Sequence, residues 1–323
     1  MNGTPAGYLS EAASRLDEGP GGVRLSVVRG GELVKNFTPV EIHQCGAGDV
    51  LVKREDLSSP FPGPQFSKIR GLVPHLEGRS ERVIGILDTF HSKAGWAVSY
   101  VCAALGKQAV VFYPRYKGDW QLETSQGPQR GGPQTLRTQQ VTADSFGAKL
   151  VPLTATAGYI LEPRAKKLLK EMHPNEPSLM LPVGLKMPES VTENAKEAER
   201  TVSSLPPLGS LVISVSSGTV AAGVIKGLTT AERLPDPQHV YLHLGYSRPV
   251  EGTRGLRANL SAKAQVDMSE VTFIDEKYSY RDAAPPIHLD FPCNPYYDRK
   301  AAVWIAANMS KLPKPILFWS IGA

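Results

Sequence analysis

The chain has 323 residues, 41% of them hydrophobic and 21% charged, with a net charge of +5 and a pI near 9.0. That composition excludes a disordered chain and fits one large two-lobed unit or two ordinary domains. No apolar run reaches bilayer length, the N-terminus lacks the basic-then-apolar order of a secretory signal, and Cys45, Cys102 and Cys293 match no zinc spacing, so a reduced, cytoplasmic protein without metal or membrane segment is expected.

In chain order, Asp49–Lys53 reads as a short strand. Arg82–Leu87 is apolar and β-branched, Ala94–Leu105 has helical spacing, and Lys107–Tyr113 looks like a buried parallel strand closed by Pro114; together they make a βαβ unit. The span from Arg115 to Gln140, rich in Gly, Gln and Arg, reads as a long surface loop, a lid or substrate-contact segment. Ala148–Leu153 is the next strand and Glu162–Met172 the next helix. Pro188–Ser204 is a helix with many exposed charges. Leu211–Ser214 is a strand leading through a small-residue loop into a helix from Val220, and His239–Leu244 is another strand. Asp298–Met309 is helical and Pro315–Trp319 an apolar final strand. The alternation argues for α/β architecture, without internal repeats.

Three stretches carry chemistry. In Gln65–Gly71 (QFSKIRG), Lys68 stands between a turn and a helix start, where its amine can project into a cleft; a Schiff-base lysine needs surroundings that favour its neutral form. Ser214–Gly223 (SVSSGTVAAG) follows a strand and opens a helix, so its N–H groups and helix dipole suit a phosphate, with hydroxyls from Ser216, Ser217 and Thr219. It is neither a P-loop nor a dinucleotide fingerprint, and a tight packing turn is the competing reading. Ser320 leaves the last strand where a doubly wound sheet opens its ligand crevice; the alternative is simply the last core strand.

The order of landmarks resembles the pyridoxal 5′-phosphate (PLP) enzymes of the tryptophan synthase β-like family (fold type II). These show a TP pair, a KRED-like strand and a lysine before an RG-like pair, here Thr38-Pro39, Lys53-Arg54-Glu55-Asp56 and Phe66–Gly71. A strand, a short turn and an Ala-rich helix follow (Gly85–Asp88, Thr89–Gly95, Trp96–Leu105), then a mid-chain phosphate loop at Ser216–Thr219. Leu181–Gly184, and Asn294–Lys300 leading into Pro315–Gly322, look like the ACC deaminase and D-cysteine desulfhydrase branch. The match spans about residues 36 to 323.

The resemblance implies an α/β, two-lobed fold with parallel-rich sheets and PLP in the interlobe cleft. Residues 1–71 plus 180–323 would form the large PLP-binding domain, with 72–179 as the small domain inserted in it. By the same resemblance, Lys68 would hold PLP as a Schiff base and act as the α-proton base. Ser216, Ser217, Gly218 and Thr219 would cradle its phosphate, and Ser320 would face the pyridine nitrogen. A neutral hydroxyl there suits elimination or β-replacement. Tyr296 or Tyr297 would reach the substrate, or else serve packing. Where relatives place an Asn against the ring oxygen this chain has Lys93, which would partner that oxygen or a substrate carboxylate, or be a surface lysine in a cofactor-free binding homologue. His91 beside it is a second candidate substrate contact. The expected function is a lyase, deaminase or β-replacement enzyme acting on a small amino acid as a homodimer. The alternative is a PLP enzyme acting on an amino-acid group attached to a nucleotide or DNA, by elimination or decarboxylation. The basic composition motivates that nucleic-acid reading, although no block of consecutive basic residues supports it.

Overall fold

The computed structural model describes residues 33–89, 91–115, 120–124, 127–131 and 138–322, so the N-terminal reading above lies outside the described residues. In chain order these form β1 (Val40–Cys45), β2 (Gly48–Arg54), a single 3-10 turn over Glu55–Leu57, α1 (Ile69–Glu77), β3 (Val83–Leu87), α2 (Ala94–Ala104), β4 (Gln108–Arg115), β5 (Trp120–Thr124) and β6 (Gly127–Gly131). Next come α3 (Thr138–Ser145), β7 (Lys149–Thr154), α4 (Gly158–Met172), β8 (Ser178–Met180), α5 (Pro188–Val202), β9 (Ser210–Val215) and α6 (Thr219–Thr230). The chain ends with β10 (Val240–Leu244), α7 (Leu256–Ala264), β11 (Thr272–Ile274), α8 (Asp298–Asn308) and β12 (Ile316–Ser320). No helix among the described residues is long and apolar enough to cross a membrane, and no cluster of metal-ligating side chains occurs among them.

The described residues divide into two compact units, one over Ser80–Val183 and one over 33–79 with 184–322. The first holds a four-stranded parallel sheet in the order β7-β4-β3-β8. Every residue of β3 is buried, as a parallel strand covered on both faces requires. Helix α4 places Leu161, Ala165 and Leu169, each four residues from the last, against Val83, Leu87, Val110 and Phe112. The segment from Arg115 to Gln140 is not one long loop. β5 and β6 pair antiparallel there, Trp120 opposite Gly131 and Thr124 opposite Gly127, and α3 starts at Thr138. Trp120, Leu122 and Thr124 alternate with polar residues at the strand period, a signal that the Gly, Gln and Arg content obscures in the sequence. Residues 116–119, 125–126 and 132–137 of that segment lie outside the described residues.

The second unit is built on a six-stranded sheet in the order β1-β2-β12-β9-β10-β11, parallel except for β1 against β2. Strand periodicity sends Leu211, Ile213 and Trp319 to one face, packed with Val220, Val224 and Leu228 of α6. Val212 and Phe318 point the other way, onto Ala301, Ala302 and Ile305 of α8. Strand β9 connects through α6 to β10 on one side, while β12 pairs on its other side, so the carboxyl end of β9 is a topological switch point where such sheets open a ligand crevice.

Helix α1 runs through Gly71 and packs on α5: a Cβ at Gly71 would stand 2.3 Å from the backbone of Ser190, so only glycine permits this approach. A buried ion network fixes the same pair of helices to β2. Arg70 grips Glu55 with two parallel bonds of 2.8 Å, and its Nη2 lies 3.2 Å from Glu197 Oε1. Lys53 Nζ donates to that same Glu197 oxygen at 2.6 Å. Lys53, Glu55 and Glu197 are fully buried and Arg70 nearly so, and Arg200 adds a bond of 3.0 Å to the other Glu197 oxygen. Burial works against the charge of Glu55, yet Arg70 and Lys53 hold its carboxyl below the usual carboxylate range. Removing one member of such a set leaves a buried charge unpaired. Glu197→Ala is therefore expected to lower the unfolding free energy in urea by about 3–5 kcal/mol. The paired change Lys53→Met with Glu197→Leu should cost clearly less than the two single changes summed; additivity would show that the groups do not act as a pair.

Candidate active site

Lys68 is the residue from which α1 starts. The turn before it is tied to the exit of β12: Ser67 N–H donates to the Ile321 carbonyl at 2.9 Å, and Phe66 bridges Gly322. With Arg70 and Gly71 locked on the other side, the lysine stem has little freedom at its root. Its Nζ donates to the Gly184 carbonyl at 2.8 Å. Burial, then the charges of Lys186 and Lys263, bring this amine down to about 8.

The space beside Gly184 gathers the neighbours of Lys68. A Cβ built there would lie 3.9 Å from Lys68 Nζ, 3.8 Å from Lys186 Cε and 3.9 Å from Ser217 Cβ. The structure thus brings Lys68 to the small-residue loop that joins β9 to α6. In that loop Gly218 takes φ of +78°, a conformation that favours glycine, and caps α6. Ser217 Oγ donates to Thr219 Oγ1 at 3.3 Å, Ser216 is half-buried, and the buried Ser214 Oγ has no partner among the described residues. Lys263 Nζ donates to the Ser217 carbonyl at 3.2 Å. Lys186 and Lys263 form no ion pair among the described residues; the sequence reading missed both, because nothing in their spacing links them to the loop.

Ser320 closes β12, fully buried, and its Oγ donates to Asp298 Oδ2 at 3.4 Å; Gly322 N–H donates to the same oxygen at 3.1 Å. Burial pushes the Asp298 carboxyl up to about 7, against hydrogen bonds from the Ile321 and Gly322 backbone, and its Oδ1 has no partner among the described residues. Asp298 is a further residue that sequence reasoning passed over, read only as a helix start. Tyr296 and Tyr297 precede it. Tyr296 N–H donates to Asn294 Oδ1 at 2.9 Å. The Tyr297 ring packs on Gly245 at the end of β10, and its hydroxyl lies 3.5 Å from that of Tyr280. Burial raises the Tyr297 phenol far above its ordinary value, so it stays protonated and donates rather than acting as a base. Lys93 belongs to the other unit, where it starts α2 and its Nζ lies 5.8 Å from the centre of the Trp96 ring. His91 lies in the turn before it, half-buried.

No protein-family model matches the chain. It is 48% identical over 293 residues to a glycyl-dTMP PLP-dependent decarboxylase of Pseudomonas phage M6, a match covering 90% of this chain and all of that one. The chain belongs to the fold type II PLP-dependent enzymes. Its fold is that of a solved ACC deaminase homologue, with a TM-score of 0.72 at 17% identity over 90% of each chain. The threonine deaminase isoform 2 of Solanum lycopersicum is similar at a TM-score of 0.59 and 14% identity, over 90% of this chain and 84% of that one.

The residues of the second unit fit PLP. A phosphate calls for N–H groups, hydroxyls and positive charge, which the capped start of α6, Ser217, Thr219, Lys186 and Lys263 provide. An aldehyde calls for a lysine that is partly neutral, and a ring nitrogen for a buried polar partner such as Ser320 with Asp298. With Lys68 proposed as the residue that takes PLP, the rate of attachment to the apoprotein should rise about tenfold per pH unit up to about 8 and then level off. Lys186→Gln removes a charge that disfavours the ammonium form, so that midpoint should move upward. Borohydride trapping and peptide mapping at each pH give the reading; an unmoved midpoint would show that Lys186 does not act on Lys68.

Proposed function

We propose that this protein is a decarboxylase acting on a glycyl group carried by a thymidine nucleotide, with Lys68 as the residue that carries PLP. The observation behind it is the 48% identity that extends over the whole length of the phage decarboxylase. The activity that names the phage enzyme matches the nucleotide-linked alternative raised by the basic composition, and its substrate is not a free amino acid. Solved relatives below 20% identity support only the fold.

In this reading Ser216, Ser217, Gly218 and Thr219 would hold the cofactor's phosphate, with Lys186 and Lys263 adding charge. Ser320, backed by Asp298, would face its ring nitrogen. Bound PLP supplies an electron sink for the carbon that carries the substrate's amine, so that the bond from that carbon to the carboxylate can break. Carbon dioxide leaves, the electron pair stays on that carbon, and a proton must be delivered there. Lys68 Nζ is suited to deliver it, because an amine with a pKa of about 8 is largely protonated at neutral pH and still gives up its proton readily. Tyr297 contributes a hydrogen-bond donor. The substrate's amine must be primary and unblocked, which restricts the glycyl attachment to one that leaves its nitrogen free. Lys93 is proposed as a cationic contact for the ring oxygen or the substrate carboxylate.

Glycyl-dTMP, the same group in a DNA strand, and a panel of free amino acids distinguish the readings by mass spectrometry. Loss of carbon dioxide from a nucleotide-borne glycyl group, with free amino acids unchanged, is expected. Ammonia release from a free amino acid would replace this reading with a deaminase. Lys68→Ala should lower the rate by at least about 10²–10⁴-fold. The rate should also change with pH around 7, where the Asp298 carboxyl passes from protonated below to charged above, and Asp298→Asn should remove that inflection. An inflection that survives in the Asn variant would assign it to another group.

A further inference from the structure

We propose that Arg248 is a clamp for a second phosphate, the one borne by the substrate's nucleotide, separate from the loop Ser216–Thr219. The inference rests on the nucleotide reading above and specifies how the nucleotide is recognised.

Arg248 lies four residues past β10, the strand beside β9, and Leu244 pairs with Val215 at the carboxyl edge of the sheet. It therefore stands on the far side of the phosphate loop from Ser320. Its Nη1 donates to Tyr246 Oη at 3.4 Å. Its Nε and Nη2 are buried and have no hydrogen-bond partner among the described residues, and no carboxylate there pairs with it. Those two nitrogens form one edge of the guanidinium, the two-donor fork that matches two oxygens of a phosphate. Burial pulls the group below its ordinary range, opposed only by the Tyr246 hydroxyl and by no carboxylate. An arginine held in that state is built for an anion that arrives from outside.

The local charge balance gives an independent reason. Lys186 and Lys263 act on Lys68 as like charges, Lys186 and Arg248 do so on Lys263, and none of the three is ion-paired among the described residues. The cofactor's phosphate brings about −2 and already has the N–H groups and hydroxyls of the loop. Lys186 and Lys263 stand beside that loop, at Gly184 and Ser217, which leaves Arg248 for another anion. What surrounds it narrows the ligand class. The guanidinium carbon lies 5.2 Å from the centre of the Tyr246 ring. Tyr246 meets Tyr280 edge-on at 5.4 Å, and Tyr280 reaches Tyr297. An anion fork beside an aromatic wall suits a molecule with both a phosphate and a flat ring, such as a pyrimidine nucleotide. A free amino acid offers only a carboxylate.

The cofactor's phosphate and the nucleotide's phosphate share one chemistry, and Arg248→Gln separates them. Affinity for PLP is measured by absorbance titration of the apoprotein; dTMP and thymidine are titrated calorimetrically into the PLP-loaded protein. The wild type should bind dTMP about 10- to 100-fold more tightly than thymidine, and the variant should lose that preference while keeping its PLP affinity. Thermal unfolding of the apoprotein should be unchanged or raised in the variant, because a buried, unpaired charge has been removed. A lower unfolding temperature would make Arg248 a structural group and overturn the proposal. So would equal binding of dTMP and thymidine by the wild type, or a variant that weakens PLP and keeps the dTMP preference. A protein that prefers dTMP through Arg248 yet releases no carbon dioxide would retain the clamp and remove the decarboxylase reading. Decarboxylation with no role for Arg248 would do the reverse.

Discussion

The buried pairing of Arg70 with Glu55 and Glu197 is the constraint on which the site depends, because it fixes the helix that starts at Lys68. Lys68 stands two positions before a guanidinium that is locked to Glu55, in the turn after β2, and to α5. Desolvating four charged groups is expensive, and the network compensates only because its bonds are short and each carboxylate meets a cation. Glu55 and Glu197 are thereby held inside the network. Lys68 has no carboxylate partner among the described residues, and a paired Lys68 would keep an ordinary lysine pKa and be slower to react. Compensation in the core and its absence at the crevice are two halves of one arrangement.

The same economy of placement runs along the carboxyl edge of the six-stranded sheet. Strand β12 delivers Ser320 beside Asp298, β9 delivers the small-residue loop, and β10 delivers Tyr246 and Arg248. Because these strands are parallel and adjacent, the groups proposed for a ring, a phosphate and a further anion fall in sequence along one edge. The apolar alternation of β9 and β12 that fills both cores also fixes which residue reaches the edge. A one-residue slip would exchange the two faces of Leu211–Val215 and move the loop.

Much of this was legible in the sequence, and the limits have physical causes. Buried parallel strands such as Arg82–Leu87 and Pro315–Trp319 are unmistakable because both faces are apolar. The small-residue loop is readable because close backbone approach permits few residue types. Strand β1 went unread, and Ile42, one of its apolar positions, is largely exposed, which weakens any alternation signal. The hairpin β5–β6 was hidden by Gly and Gln. Lys186, Lys263 and Arg248 could not be foreseen, since each is an ordinary basic residue until the fold removes its counter-ions. Asp298 was visible only as a favourable first residue of a helix, and its second role depends on Ser320, 22 positions away.

Asp298 also bears on the kind of reaction the site suits. A hydroxyl alone at the ring nitrogen leaves the ring neutral, and such a ring withdraws electrons weakly, which favours prompt expulsion of a leaving group. With the ring nitrogen at Ser320 as proposed, a buried carboxyl behind that hydroxyl would change the balance, because its proton lies near neutrality and could be shared toward a basic nitrogen. Decarboxylation has no leaving group on the neighbouring carbon to take the electrons, so they must be held until a proton arrives. The Ser320–Asp298 pair fits that demand better than Ser320 alone would. A near-neutral carboxyl survives there because burial opposes its ionisation while the Ile321 and Gly322 N–H groups support it, so its pKa settles between the two. Moving Asp298 toward solvent would restore an ordinary carboxylate, and with it the weakly withdrawing ring that a lone hydroxyl implies.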